Sequence, residues 1–249
     1  MATPRPHRLG ALLTRAAAAV GAAILVAGCD VADDRSAPDA PAAPASPAAE
    51  PEQPPGEHVF PMALAPVLDD PGRDAWQRPD EIVAALSIRP GQRIADVGCG
   101  TGYFTLRLLR ATGATGHVLA VDVQQGMLDL LAGRLDAAQE KLVTLRRNPP
   151  DRPLEATDAL DLVLCANTLY EVDETAAARF VKSMADGLAP GGRLAVVEWR
   201  PTQMRLGPPV GIRIAPARVR ELAEKAGLSL AQDLAFLPMH SFLVFAKPR

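Results

Sequence analysis

The sequence is short of cysteine: three occur in 249 residues, at Cys29, Cys99 and Cys165. A site that binds a soft metal through three thiolates would need a further cysteine in the folded part of the chain, so such a site is excluded. Cys99 and Cys165 lie among apolar residues, where a free cysteine usually acts as a small hydrophobic side chain. Because their strands are predicted to be neighbours, a disulfide between them is an open alternative.

The folded part of the chain also lacks net charge. The whole sequence has a formal charge of −3, residues 1–29 carry three arginines and no acid, and residues 30–57 carry seven acids against one arginine. Residues 58–249 therefore sum to about zero. A neutral domain has no electrostatic footprint for nucleic acid, so we expect no nucleic-acid partner.

The N-terminal segment has only a short apolar run. Ala16–Gly28 is 13 residues long, which suits the core of a signal peptide and is short for a membrane span. It ends at Leu25–Cys29 (LVAGC), which resembles the bacterial lipobox, in which the cysteine becomes the lipidated first residue of the mature protein. The resemblance implies lipidation at Cys29 and a membrane anchor. A buried helix, or translation that starts at Met62, is the alternative.

Residues 30–57 contain eight alanines and seven prolines, and such a composition cannot bury a core. We expect a disordered tether there, followed by one folded domain at 58–249. Asp30 after the lipidated cysteine resembles a pattern that retains lipoproteins at the inner membrane. The expected location is therefore the periplasmic side of the bacterial inner membrane, or the cytoplasm if translation starts at Met62.

Strands alternate with helices along residues 79–246, which predicts a mostly parallel α/β sheet. Helices are expected near 79–87, 103–111, 125–138, 174–187 and 216–226. Strands are expected from Arg93 and near 118–122, 142–146, 160–166, 193–198, 229–236 and 240–246. Only a few residues separate the last two strands, so these must form an antiparallel hairpin.

Three glycines occupy alternate positions after the first strand, at Gly98, Gly100 and Gly102. Glycine lets a strand turn sharply into a helix while the backbone approaches a ligand closely. The dinucleotide fingerprint G-x-G-x-x-G would need glycine where Tyr103 stands. With Asp96 two residues ahead, the loop resembles the cofactor loop of class I S-adenosylmethionine-dependent methyltransferases.

That resemblance implies a Rossmann-like, doubly wound seven-stranded sheet, mostly parallel with an antiparallel last strand. The predicted hairpin agrees with it, and so does Leu188–Leu194, which resembles the L-x-P-G-G turn that precedes strand five in this family. A closer resemblance, through Asp70–Arg73 and Trp76–Pro79, is to exported or predicted small-molecule methyltransferases. Trp76 is interpreted as a lid over the cofactor or as a residue packed on the sheet edge.

Three polar residues follow the predicted strands at the expected cofactor site. Asp122 ends the second strand, where a carboxylate can accept hydrogen bonds from both ribose hydroxyls; an ordinary strand-end or N-cap aspartate is the alternative. The resemblance implies that Asp96 helps to hold the methionine part of S-adenosylmethionine, unless it only ties down the glycine turn. It also implies that Asn148 contacts the adenine amino group.

The catalytic prediction concerns residues at the same edge of the sheet. A phenol or hydroxyl acceptor needs a base, and Glu171 is the first candidate, with Tyr170 beside it and Glu198 as a further acid. Tyr170 replaces a histidine found in the resembled family, which argues against histidine catalysis. The alternative is that these acids cap helices or face solvent. His240 is interpreted as structural.

The expected function is transfer of a methyl group from S-adenosylmethionine to oxygen or carbon of a small molecule. Two alternatives stay open: a non-catalytic sensor that binds the same cofactor, and a nicotinamide-dependent oxidoreductase. Asn148–Asp151 superficially resembles the Asn-Pro-Pro-Tyr motif of amine methyltransferases but follows the third strand instead of the fourth, which disfavours methylation of amides or base amines. The pattern does not determine the acceptor or the oligomeric state.

Overall fold

The computed structural model describes residues 59–249. The predicted signal peptide at 1–29, with Cys29, and the predicted tether at 30–57 lie outside the described residues. Within residues 59–249, every helix falls short of the length and apolarity that crossing a membrane would require.

The strands are β1 (Arg93–Val97), β2 (His117–Asp122), β3 (Val143–Arg147), β4 (Leu160–Ala166), β5 (Leu188–Trp199), β6 (Ser229–Leu234) and β7 (His240–Ala246). The α-helices are α1 (Arg73–Gln77), α2 (Pro79–Ala85), α3 (Thr105–Thr112), α4 (Gln125–Ala132), α5 (Glu174–Gly187) and α6 (Pro216–Lys225). Short 3₁₀ helices lie at Met62–Asp69, Gly113–Thr115, Gln139–Leu142, Ala156–Asp158, Leu169–Glu171 and Val210–Ile212.

The seven strands form one mixed sheet in the order β3-β2-β1-β4-β5-β7-β6. Strands β1 to β5 are parallel, and β7 runs antiparallel to both β5 and β6. The predicted doubly wound sheet with an antiparallel last strand is therefore confirmed. The strand order reverses between β1 and β4, and open α/β sheets bind ligands beyond the carboxyl ends of strands at such a point.

Helices cover the sheet on both faces, which explains the almost continuous apolar sequence of its central strand. On β4, Val163 and Cys165 pack into the hydrophobic cluster that includes α5 and α6. The alternate residues Leu162 and Leu164 pack into the opposite cluster, with α2 and α3. All four side chains are fully buried, so β4 is fixed from both sides and its end is a rigid support for a site.

The structure corrects the sequence-based elements in three places. Helix α4 ends at Ala132 instead of near 138, and a short 3₁₀ helix precedes β3. Strand β5 begins at Leu188, so the Pro-Gly-Gly stretch lies inside the strand and not before it. The pairing with β4 is irregular there: Leu160 pairs with Leu188, and Leu162 already pairs with Arg193. Third, the segment Met62–Gln77, for which no helix was expected, forms a 3₁₀ helix and α1.

Candidate active site

The glycine loop lies at the carboxyl end of β1, and all three glycines have positive φ: +72° at Gly98, +52° at Gly100 and +90° at Gly102. Close packing adds a second requirement. A Cβ at Gly98 would lie 2.1 Å from Oγ1 of Thr168, and one at Gly102 would lie 2.3 Å from Cδ1 of Leu131. The loop therefore needs glycine both for its backbone conformation and for its contacts with the segments after β4 and in α4.

Asp122 lies at the end of β2 and is tied to this loop. One carboxylate oxygen accepts a hydrogen bond from the backbone N–H of Gly100 at 2.8 Å, and the other accepts from that of Gln124 at 2.9 Å. Gln124, not Asp122, is the N-cap of α4, which removes the N-cap interpretation. Asp122 is 9% exposed, and burial raises its pKa. Its contact with the cofactor ribose stays a prediction, and the position of Asp122 beside the glycine loop suits that role.

Asp96 lies in β1 and is buried below the loop. Its carboxylate accepts a hydrogen bond from the hydroxyl of Thr105, the first residue of α3, at 2.6 Å. Burial raises its pKa to about 6, and the Asp122 carboxylate adds to that increase. Asp96 thus fixes the start of α3 through Thr105, which agrees with the structural alternative in part. Its predicted role toward the cofactor stays untested.

Asn148 follows β3, and its backbone N–H donates to the carbonyl of Asp122 at 3.4 Å. The side-chain amide donates to the carbonyl of Pro153 within the same loop. The structure therefore brings Asn148 to the same edge as Asp122, with its amide donor engaged. The predicted contact with the adenine amino group would have to use the amide oxygen.

Tyr170 and Glu171 lie in the 3₁₀ helix after β4. The Tyr170 hydroxyl donates to Oε1 of Glu171 at 2.8 Å. Burial raises the pKa of Glu171 to about 7 and raises that of Tyr170 well above its usual value. A carboxyl group with a pKa near 7 can accept a proton at physiological pH, and the choice of Glu171 as the base stays a prediction.

Glu198 supports that helix from β5. Its Oε1 accepts backbone hydrogen bonds from Thr168 at 3.0 Å and Leu169 at 2.7 Å, and the residue is 0% exposed. Burial raises the pKa of Glu198 to about 8. Because both of these bonds hold the loop that carries Tyr170 and Glu171, Glu198 positions this loop, and its burial argues against use as a base.

His240 and two tryptophans form an aromatic cluster at the end of β5 and the start of β7. Ring centroids are 4.3 Å apart for Trp199 and His240, 5.1 Å for Trp76 and Trp199, and 5.8 Å for Trp76 and His240. His240 is 0% exposed, and burial lowers its pKa to about 3. The histidine is therefore neutral at physiological pH, and its structural role stays a prediction. Trp76 packs against the sheet, which favours the second of its two interpretations.

The segment over the glycine loop lies earlier in the chain than Trp76. A Cβ at Gly100 would lie 3.3 Å from Cδ1 of Leu68, and the hydroxyl of Thr101 donates to Asp69 at 2.9 Å. Gln124 also donates its side-chain N–H to the carbonyl of Phe60 at 3.1 Å. Residues 60–69 thus cover the edge of the sheet where Asp122 and the glycines meet.

Sequence reasoning assigned no role to Arg73, Gln77 and Asn167. Asn167 follows β4 with a φ of +56°, and its amide N–H donates to Oε1 of Gln77 at 2.9 Å. The resemblance through Trp76–Pro79 pointed to this part of the chain but not to the contact itself. Only the fold brings residues 77 and 167 together.

Unpartnered polar atoms concentrate in this region. Among the described residues, eight buried side-chain nitrogen and oxygen atoms lack a hydrogen-bond partner. Six of them belong to five residues around the carboxyl ends of β4 and β5, namely Arg73, Gln77, Asn167, Glu198 and His240. Buried polar groups are normally bonded, so such a concentration is typical of a ligand site.

Cys99 and Cys165 are both free and buried, so the disulfide alternative is not realised. Burial raises the pKa of both thiols, which keeps them protonated and unreactive at neutral pH. The described residues hold no cluster of histidine, cysteine and acids suited to a metal.

Residues 94–192 match a family model described as a methyltransferase domain. The ubiquinone/menaquinone biosynthesis C-methyltransferase UbiE of Vibrio cholerae is 31% identical over 115 residues, which cover 45% of this chain and 42% of the relative. The demethylmenaquinone methyltransferase of Symbiobacterium thermophilum is 35% identical over 133 residues, which cover 50% and 49%. The chain thus aligns with about half the length of the curated relatives it matches.

Among solved structures, a SAM-dependent methyltransferase from Aquifex aeolicus superposes with a TM-score of 0.69 at 23% sequence identity. The match covers 76% of this chain and 99% of that one. Such a likeness shows the fold, and it confirms the predicted Rossmann-like sheet with helices on both faces.

Replacing Gly98 with alanine tests the double requirement in the loop. We expect Gly98→Ala to cost about 3 kcal/mol or more in the free energy of unfolding, since overpacking adds to backbone strain. Gly227→Ala is the matched control, because Gly227 also has positive φ (+87°) but no atom lies within 4 Å of the position that an added Cβ would occupy; it should cost about 1–2 kcal/mol. Urea unfolding measures both, and equal losses would show that the Thr168 contact is unimportant.

Proposed function

We propose that this chain, whose residues 94–192 match a methyltransferase-domain family, transfers a methyl group from S-adenosylmethionine to oxygen or carbon of a small molecule. The observation that carries the proposal is the junction of Asp122 with the glycine loop through the N–H of Gly100. It places a buried carboxylate beside a loop that backbone and packing keep free of side chains. A ribose and a sulfonium-bearing amino-acid chain fit such a site.

The donor set fits the cofactor. Asp122 offers carboxylate oxygens to the two ribose hydroxyls, and charge-assisted bonds of this kind contribute roughly 1.5–3 kcal/mol each. Asp96 and Glu171 add acidic groups near the same edge, which suits a ligand that carries a positive sulfur. The unpartnered atoms of Gln77 and Asn167 offer a donor and an acceptor.

The chemistry needs orientation more than activation. The bound cofactor supplies a methyl group that is already electrophilic. Alignment of acceptor and donor can lower the barrier by roughly 7–11 kcal/mol. Glu171 would take the proton from an acceptor hydroxyl, with the hydroxyl of Tyr170 holding the carboxylate in place. Glu198 would keep that loop in position through Thr168 and Leu169.

The names of the relatives suggest which acceptors to test first. One of those described above is named for ubiquinone and menaquinone biosynthesis and the other for demethylmenaquinone, and the match covers about half of their length. We propose a small phenolic or reduced quinone acceptor. A membrane-soluble molecule of this kind also suits the proposed lipid anchor.

Cofactor binding is the first prediction. Asp122→Asn should weaken the binding of S-adenosylmethionine roughly 10- to 100-fold, because neutral amide bonds to the ribose replace charge-assisted ones. Isothermal calorimetry on the full-length chain measures the change. Asp136→Asn is the matched control, since Asp136 also accepts from two backbone N–H groups, those of Ala138 and Gln139, but lies away from the loop. A folded wild-type chain that shows no heat with millimolar cofactor would refute the proposed function.

The pH dependence of methyl transfer tests the base. Glu171 must be ionised to accept a proton, so the rate should rise as pH increases through about 7. Glu171→Gln should lower the rate roughly 100-fold or more and remove this rise. Tyr170→Phe should move the rise to higher pH, because the hydrogen bond from Tyr170 lowers the pKa of Glu171.

The assay follows label from methyl-labelled cofactor into membrane and soluble extracts. A rise that persists unchanged in Glu171→Gln would assign the base to another residue. Cofactor binding without transfer into either extract would favour the sensor function.

We also propose that the chain is a lipoprotein anchored through Cys29 and faces the periplasm. The basic head, apolar core and LVAGC sequence support this location. Labelled palmitate should enter the wild-type chain in a bacterial host and should not enter Cys29→Ala. Cys99→Ala serves as the control, because its buried thiol is not expected to accept lipid. Labelling that persists in Cys29→Ala would exclude this anchor.

A further inference from the structure

Arg73 is a buried cation at the start of α1. The residue is 8% exposed, and its guanidinium carbon lies 3.8 Å from the centre of the Tyr103 ring. Nη1 donates to the carbonyl of Leu68 at 2.8 Å, whereas Nε has no hydrogen-bond partner. Among the ion pairs within 4.0 Å in residues 59–249, none includes Arg73.

A second arginine on the same ring shows what is unusual about Arg73. The guanidinium of Arg107 lies 4.4 Å from the centre of Tyr103, on a more exposed surface, and pairs with Asp74 at 2.9 Å and Asp80 at 3.2 Å. Tyr103 itself donates its hydroxyl to Asp74 at 2.5 Å. The more exposed arginine is thus paired with carboxylates, and the more buried one is not.

Burying a cation without a carboxylate is costly, because the charge loses its hydration and gains no ion pair. Burial lowers the pKa of Arg73 to about 10. The Asp69 and Asp96 carboxylates favour its charged form, but neither lies within 4.0 Å. Arg73 therefore remains a cation, held by its contact with the Tyr103 ring and by the Leu68 carbonyl. An ion pair with a carboxylate ligand would stabilise this charge.

The position of Arg73 is between the glycine loop and the loop after β4. Its ring partner Tyr103 directly follows Gly102. In the same helix as Arg73, Gln77 accepts a hydrogen bond from Asn167 after β4 at 2.9 Å, and Trp76 packs on Trp199 at the carboxyl end of β5. Helix α1 thus places Arg73 at the edge of the sheet where the cofactor is proposed to bind.

We propose that Arg73 binds the carboxylate of the methionine part of the cofactor. The inference rests on the proposed function and names one contact of that site. Because Nη1 is used by Leu68, the carboxylate would meet the edge of the guanidinium formed by Nε and Nη2, which allows two parallel hydrogen bonds. The contact with Tyr103 holds the guanidinium beside the glycine loop.

Two ligands that differ only in the carboxylate test the contact. S-adenosylhomocysteine carries the carboxylate and the amino group, and its decarboxylated amine carries the amino group alone. Calorimetry on the full-length chain should show that Arg73→Met weakens the binding of S-adenosylhomocysteine tenfold or more and changes the affinity for the decarboxylated amine less than threefold. Arg73→Lys should give an intermediate, selective loss, because a lysine keeps the charge but not the two-bond geometry.

Arg107→Met is the matched control, since it removes a cation from the other side of the Tyr103 ring. It should leave the preference between the two ligands unchanged. Equal weakening of both ligands by Arg73→Met would overturn the proposal and make Arg73 a structural residue. If Arg73→Met binds both ligands as the wild type does but binds the methyl acceptor more weakly, the proposal is overturned, and Arg73 would instead bind a carboxylate of the acceptor.

The wild-type chain separates this proposal from the proposed function. If it binds neither nucleoside, the methyltransferase proposal fails as a whole. If it binds both with equal affinity, only the carboxylate contact fails. Should Arg73→Met not fold, as judged by urea unfolding, Arg73→Lys and the wild-type preference between the two ligands decide the question in the same way.

Discussion

The site depends on the junction of three glycines with the carboxylate of Asp122 at the point where the strand order reverses. The positive φ angles turn β1 into α3 without side chains, and the N–H of Gly100 bonds Asp122 at 2.8 Å. Thr168 packs against Gly98 from the other side, so the loop after β4 rests on the same backbone. The proposed cofactor contacts and the proposed catalytic loop are therefore positioned by one turn.

Burial raises the pKa of all four acids that surround this turn, to about 6 at Asp96, about 7 at Glu171 and about 8 at Glu198, with Asp122 shifted in the same direction. Desolvation is the largest cause in each case, because these carboxyl groups are buried or half-buried. A positive sulfur beside these groups would favour their ionised forms. The acidic edge therefore suits a cationic cofactor, and Arg73 supplies a contrasting charge where a carboxylate is proposed to lie.

Local patterns were enough to predict the sheet, the glycine turn and the strand-end residues. Apolar strands, the spacing of Gly98, Gly100 and Gly102, and the short connection before β7 depend on neighbours in sequence. Other features depend on distant contacts: Gln77 meets Asn167, 90 residues later, and Glu198 bonds the backbone of Thr168 across two strands. For the same reason the sequence could not separate a base from a buried support among the acids after β4 and β5.

Residues 60–77, which include the cover over the glycine loop and α1, are held by other kinds of contact than the strands of the sheet. Helix α1 has five residues, too few to be stable alone. Its neighbourhood is attached by pairs such as Arg107 with Asp74 and Arg134 with Asp69, and partly exposed ion pairs contribute about 0–1 kcal/mol each. Strand β4, with side chains buried on both faces, is held far more strongly. Because this segment carries both Arg73 and the cover over Gly100, a ligand that pairs with Arg73 would stabilise the cover as it binds.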